Sequence, residues 1–519
     1  MKPQPGESIM KIERKLIVAI MGMVLASIIS MQYAWSNPSL PLPNSPSSVQ
    51  VDGDFSTVPC TIPNPQLSRI TYSKPLSVLP NLCRDLAAVQ ARSCINDNYT
   101  EWRGKNHNYV TCKEIESNIE DGPLWQMSLL FYKGGFRVNA GQHGDNIYSS
   151  ADFSTGIFTV SESGNSIFLA GNPREQRIAE FEIPEIVNTR DILEMVKADN
   201  FLQEFEIFHD PETKYDSGIA GFFRFSGLTA IDGKLIVHAF NWYDANGTET
   251  DTTSVIVDSN NLATSEIIGP FQLEGAARSA GWISPVPLEW QPRLKGTHVS
   301  GWAQGSINSR LSNGPSAYFW NPHDDALNKS VPGPISATAG LTFPLNNILY
   351  DYNIYGPYGD YYDGSFSKNE EILLNNNLQN ELWTYMSGAT YGFIIPGTNT
   401  YVTLGVNGGI KSGIGYKWEY PNGTHCSGHC PKDRKDLQNY YWLWQLSELE
   451  KAVKGEKLPY TIRPYSFGEL DTAGFKGRLA SGHYDPETGR LIISLKDGDE
   501  VSIYYRPPLF LVYDVQAHL

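Results

Sequence analysis

Three arginines stand at similar offsets before pairs of small residues: Arg224 before Ser226-Gly227, Arg278 before Ala280-Gly281 and Arg478 before Ser481-Gly482. A guanidinium presents a planar fork of donors that matches a carboxylate or a sulfate. Brought together, the three would hold an anionic ligand; kept apart, each would pair with a structural Asp or Glu. Two histidines offer the complementary chemistry. His143 lies in the loop Gly141-Gln142-His143-Gly144-Asp145, and His483 directly follows Ser481-Gly482. A histidine near its ordinary pKa can remove a proton made acidic by an adjacent carboxylate, while Tyr148 or Tyr484 protonates the leaving oxygen. With arginines neutralising that carboxylate, the set describes a lyase acting on uronates. Singly, each histidine is equally a satisfied structural residue.

Other groupings weigh less. His425-Cys426-Ser427-Gly428-His429-Cys430 alternates metal-type ligands, but a local disulfide between Cys426 and Cys430 is the expected state in an oxidising compartment. Asp351, Asp360 and Asp363 punctuate the tyrosine-rich run DYNIYGPYGDYYDG. Their spacing matches no EF-hand, and the aromatics there can stack on sugar rings. No P-loop, nucleophile elbow, zincin helix or dinucleotide fingerprint is present. The reading therefore assigns no metal and no cofactor.

These residues need a scaffold, and the scaffold is repetitive. The stretch 478–515 contains a small-residue strand (479–484), a turn Asp485-Pro486-Glu487-Thr488-Gly489, an apolar strand (491–495), a polar loop and a third strand (509–515). Related units open at Thr155-Gly156-Ile157, at Ser226-Gly227-Leu228, at Ala280-Gly281-Trp282 and at Tyr391-Gly392-Phe393. A weak trace at 341–350 leaves room for one more between 335 and 385. A fourth strand is expected after each third, for example PYTIRPY at 459–465. The last unit supplies only three, and the isolated apolar segment WQMSLLFYKGGFRV at 125–138 is placed as its missing outer strand.

Four antiparallel strands repeated about an axis make a β-propeller. The expectation is an all-β protein with six four-stranded blades, seven being the alternative count and a β-sandwich the alternative fold. Inner-strand glycines suit a crowded centre. In this fold the three arginines gather at one mouth of the channel, and ring closure makes the blades near His143 and His483 neighbours.

Composition agrees. Glycine (46) and proline (33) are abundant, aromatics reach 12% and only 18% of the 519 residues are charged. A net charge of −16 argues against nucleic acid as partner. Lys11, Arg14 and Lys15 precede the apolar run 16–34, and Ala34-Trp35-Ser36 offers small residues at a cleavage spacing. Residues 1–36 thus read as a signal peptide, which makes the protein secreted or periplasmic; left uncleaved, 16–34 would anchor it in a membrane. A Pro/Ser-rich tether follows at 37–55, and then a small extension at 56–122. Two disulfides among Cys60, Cys83, Cys94 and Cys112 would staple that extension, in a pairing the spacing leaves open. The propeller takes 123–519, as a monomer.

At Gly134-Gly135-Phe136-Arg137-Val138, Pro287-Leu288-Glu289-Trp290-Gln291-Pro292 and Ser481-Gly482-His483-Tyr484-Asp485-Pro486, the chain resembles a group of secreted bacterial propeller-like proteins without an assigned activity. The resemblance extends from about residue 124 onward and implies fold and compartment, not catalytic residues. Two functions follow from the residues. One is a carbohydrate-active lyase or hydrolase on an anionic polysaccharide. The other is a non-catalytic propeller that binds a protein or glycan. A channel mouth plugged by Trp282 and Tyr391 would favour the second.

Overall fold

A computed structural model describes residues 121–175, 177–207, 223–241, 250–304, 312–327 and 334–517, together with a strand pair at Trp102–Arg103 and Tyr109–Val110. The described residues fall in the unit Ile62–Leu519. The signal segment, the tether and the cysteines Cys60, Cys83, Cys94 and Cys112 lie outside them. No described helix is long and apolar enough to cross a membrane.

Alternating apolar residues in short strands, broken by Gly- and Asn-containing turns, form five antiparallel blades rather than six. Blade 1 comprises Phe158–Val160, Ser166–Ala170, Arg177–Glu182 and Phe201–Ile207. Blade 2 comprises Phe223–Ile231, Lys234–Asn241, Asp251–Ile256 and Ile267–Gln272. Blade 3 comprises Trp282–Pro285, His298–Gly301, Ala317–Trp320 and Thr338–Leu341. Blade 4 is built from Gly388–Ile394, Thr400–Gly408, Leu437–Gln445 and Ser466–Glu469. Blade 5 joins Arg478–Asp485, Arg490–Lys496 and Leu509–Val515 to Leu130–Val138 from the start of the propeller. The segment placed as a missing outer strand is that strand, and it closes the ring.

The extra blade fails for a local reason. Thr338–Leu341 is spent as the outer strand of blade 3, and the chain beyond it forms two helices, Tyr352–Tyr355 and Phe366–Leu374. Asp351 caps the first by accepting from the Asn353 amide, and Ser365 caps the second by accepting from the Lys368 amide. Asn369, Ile372 and Leu373 are buried at i, i+3, i+4 spacing, so the second helix has an inner face. The fourth strand of blade 4 is likewise displaced. Pro459–Thr461 is a 3-10 turn, because Pro removes a ladder donor, and the strand begins at Ser466.

Each blade packs on the next through large side chains set against glycine. Trp282 of blade 3 lies over Gly392 of blade 4, and Tyr391 of blade 4 lies over Gly482 of blade 5. A side chain on either glycine would meet an aromatic ring at 2.5–2.9 Å. All inner strands run the same way, so the connections that enter them, and those between second and third strands, gather at one end. That end carries the long loops 139–157, 342–387, 409–436 and 497–508. The opposite end has tight turns such as 161–165, 232–233 and 486–489.

Candidate functional site

The axis comes first, because propeller ligands usually sit there. Trp282 is 2% exposed, Tyr391 3%, Phe393 1% and Tyr401 not at all. Trp282 Nε1 donates to the Tyr401 hydroxyl at 3.2 Å, and that hydroxyl donates to the Ser316 carbonyl at 2.8 Å. The Tyr484 amide donates to the Tyr391 hydroxyl at 2.6 Å. Burial pushes both Tyr391 and Tyr401 above their ordinary phenol range. The inner strands of blades 3 and 5, which are not neighbours in the ring, approach within 8 Å between Cα atoms. Two backbones at that distance leave space for their own side chains and none for a sugar ring.

The two histidines are not brought together. His143 stacks on Phe201 with ring centres 3.7 Å apart, against the outer strand of blade 1. His483 Nδ1 lies 3.4 Å from Thr159 Oγ1 and from the Val160 amide, on the inner strand of the same blade. The whole four-stranded sheet therefore separates them. Burial lowers the pKa of both, His483 to about 4. Tyr148 is half-buried with the Arg174 guanidinium 5.5 Å from its ring centre. Tyr484 is buried against Phe393, ring centres 4.5 Å apart, and desolvation raises its pKa. Neither tyrosine shares a contact with either histidine's ring among the described residues.

The three arginines do lie at the loop-bearing end. Arg224 is paired with Phe240 in blade 2, and the Phe240 ring sits 5.4 Å from that of Trp302. Trp302 in turn donates its amide to the Arg278 carbonyl at 3.0 Å. Arg224 and Arg278 thus border one small aromatic cluster between blades 2 and 3, where burial lowers the pKa of Arg224. Arg278 Nε and Trp302 Nε1 are buried there without a hydrogen-bond partner. Arg478 opens the inner strand of blade 5, exposed and opposite Lys496. Two of the three share a site, and the third stands two blades away.

Several sequence candidates are occupied structurally. Asp351 and Asp363 accept from the amides of Asn353 and Ser365, so those carboxylates cap turns. No three His, Cys, Asp or Glu side chains converge among the described residues. Cys426 and Cys430 face each other with sulfurs 2.13 Å apart. His429 stacks flat on Tyr385 at 4.0 Å, and His425 lies 3.9 Å from Glu419.

His238 went unread in the sequence, being one apolar-flanked histidine within the strand KLIVHAFN. It is fully buried, and its Nδ1 lies 3.0 Å from the Gly281 carbonyl of the next blade. A carbonyl only accepts, so Nδ1 carries the proton and the buried Nε2 is left without a partner. Burial lowers its pKa to about 4. Because the folded value lies below the ordinary 6.5, the unfolded chain takes up more protons between about pH 6.5 and 4. Stability present at neutral pH is lost as pH falls through that window, by roughly 3 kcal/mol for this group. Melting temperature measured from pH 7 to pH 4.5 should therefore fall, and fall less steeply in His238→Asn, whose amide can still donate towards Gly281. Equal slopes would refute the assignment.

The strand pairing defines the class: this is a five-bladed β-propeller closed by its own N-terminal strand. No family model matches the chain, and no curated protein matches it. Among solved structures it is similar to the RRP9 WD40 repeats, at 10% identity over 69% of this chain and 78% of that one, with a TM-score of 0.25. U3-55K is matched at 10% identity over 69% and 79%, with a TM-score of 0.26. The Myceliophteria thermophila Cps50 (Swd1) β-propeller domain is matched at 7% identity over 70% and 83%, with a TM-score of 0.23. Likeness at that level carries no argument about function, and the architecture rests on the strand registers.

Proposed function

We propose that this chain is an exported, non-catalytic propeller that binds a glycan or protein partner on its loop-bearing end. It stands with the secreted bacterial group it resembles, as a monomer, with Cys426 and Cys430 oxidised in that compartment. The observation that carries the reading is the closed axis, where Trp282, Tyr391 and Tyr401 are buried and hydrogen-bonded to each other or to neighbouring strands. Long loops at one end supply recognition surface on a rigid scaffold. General acid–base chemistry lacks its parts, since a proton acceptor and a proton donor must both reach one substrate atom. His143 and His483 lie on opposite edges of blade 1.

The runner-up, a lyase or hydrolase on an anionic polysaccharide, draws on Arg224 and Arg278 beside one cluster. Absorbance at the unsaturated-uronate band separates the two readings. The purified protein, offered alginate, pectin, ulvan and glycosaminoglycans, is expected to give no rise, and no new reducing ends. A rise that disappears in Arg278→Ala would overturn the binding-module reading and place a lyase at the blade 2–3 mouth.

A further inference from the structure

We infer that the hairpin between the second and third strands of blade 4 is a binding platform for an acidic sugar. The inference rests on the binding-module reading above and names its site and ligand class. The hairpin pairs Ile414–Tyr416 with His429–Pro431, in the register Ile414↔Pro431, Gly415↔Cys430 and Tyr416↔His429. Tyr416 is 61% exposed and Trp418 39% exposed. One exposed aromatic needs no explanation, but two within three residues on a braced hairpin form a surface.

Charge is the second observation. In a chain of net charge −16, this loop (409–436) holds five Lys/Arg against three Asp/Glu. Its carboxylates are engaged locally. Glu419 faces His425, Asp433 accepts from the Lys435 amide, and Asp436 accepts from the amides of Lys411 and Ser412. Lys417, Lys432 and Arg434 make no ion pair among the described residues, and each sits over an aromatic ring instead. Lys417 Nζ is 5.5 Å from the Tyr416 ring centre, Lys432 Nζ 5.4 Å from Trp418 and the Arg434 guanidinium 4.1 Å from Tyr420. Elsewhere cations such as Arg137, Arg177 and Arg293 rest on carboxylates.

An aromatic face bordered by unneutralised cations has a defined complement. A pyranose ring presents an apolar face of C–H bonds, slightly positive, to the negative face of an aromatic ring. A uronate carboxylate or a sugar sulfate projects from the rim of that same ring. It therefore reaches an ammonium or guanidinium placed beside the aromatic. The platform is also pre-organised. His429, paired across the hairpin with Tyr416, stacks on Tyr385 of the propeller body, and Lys432 donates to Asn376 at 2.8 Å. Little side-chain freedom is lost on binding. A polynucleotide also stacks on aromatics, but its dense charge would be repelled by the chain as a whole.

The test is calorimetric titration of the whole protein with size-matched alginate oligomers, dextran sulfate oligomers, neutral dextran and single-stranded DNA. Acidic oligomers should bind and neutral dextran should not. Trp418→Ala and the pair Lys432→Gln/Arg434→Gln should each weaken binding by about tenfold, the pair also flattening its salt dependence. Unchanged melting temperatures would show that the variants are folded. Preference between alginate and dextran sulfate distinguishes a carboxylate from a sulfate as the acid. Undiminished binding by both variants would move the site off this hairpin while leaving the binding-module reading intact. Absent binding to either acidic polymer, equal binding of dextran, or tighter binding of DNA would overturn the inference. Only turnover would overturn the reading beneath it.

Discussion

Gly281→Ala should leave the cell without soluble, folded protein. A Cβ at Gly281 would lie 1.9 Å from the Gly301 carbonyl oxygen and 2.9 Å from the Trp302 Cβ. Gly227 of blade 2 aims its missing Cβ at the Gly281 oxygen, 1.8 Å away, so the strand cannot retreat towards blade 2 either. Overpacking costs about 1–3 kcal/mol where side chains can yield. Here the obstacle is backbone on both sides, and the Gly281 carbonyl also receives the His238 proton. The cost should exceed about 4 kcal/mol, which is diagnostic against a total stability of roughly 5–15 kcal/mol. Gly428→Ala is the control, since nothing lies within 4 Å of its Cβ position. Soluble yield and melting temperature decide the matter. A Gly281→Ala protein that melts within a few degrees of wild type would mean that the blade 2–3 contact is looser than described.

Removing the closing strand should have an effect of similar size by a different route. A chain beginning at Asn139 loses the seven residue pairings between Leu509–Val515 and Leu130–Val138. It also loses Phe136, fully buried and stacked on Phe510 at 4.9 Å, and Val138, fully buried. The paired hydrogen bonds from Arg137 to Asp499, at 2.8 and 3.1 Å, go with them. What remains is an apolar edge, LFLVYDV, with its backbone donors and acceptors unpaired, which is a template for aggregation. The shortened chain is expected to precipitate on refolding, and a synthetic peptide covering 123–138, added in trans, should recover folded protein. Phe136→Ala in the intact chain should cost about 3–5 kcal/mol. Soluble folding of the shortened chain alone would show that blade 5 stands on three strands.

The binding face was partly legible. The run YKWEY, with lysine between aromatics in a loop, is visible in the sequence, but 417–436 read only as a stapled loop. Nothing local says that Tyr416 and Trp418 stay exposed, or that Lys432 and Arg434 return to the aromatics across the hairpin. The arginine offsets did place Arg224, Arg278 and Arg478 at one end, because offset from an inner strand fixes height along the axis. Offset says nothing about angle around it, so Arg478 falls on blade 5 while the other two meet at blades 2 and 3.

The sequence by itself determined the strand-turn-strand units, the glycines at crowded inner strands and the apolar segment that closes the ring. Each is a matter of backbone conformation or of alternation over a few residues, and such information is local. Tertiary structure decided the blade number, the helices that take the place of a sixth blade, and the separation of His143 from His483. Ring closure fixes how many sheets fit around one axis, and a side chain's neighbours come from strands far away in sequence. Spacing along the chain cannot encode where two such strands will meet.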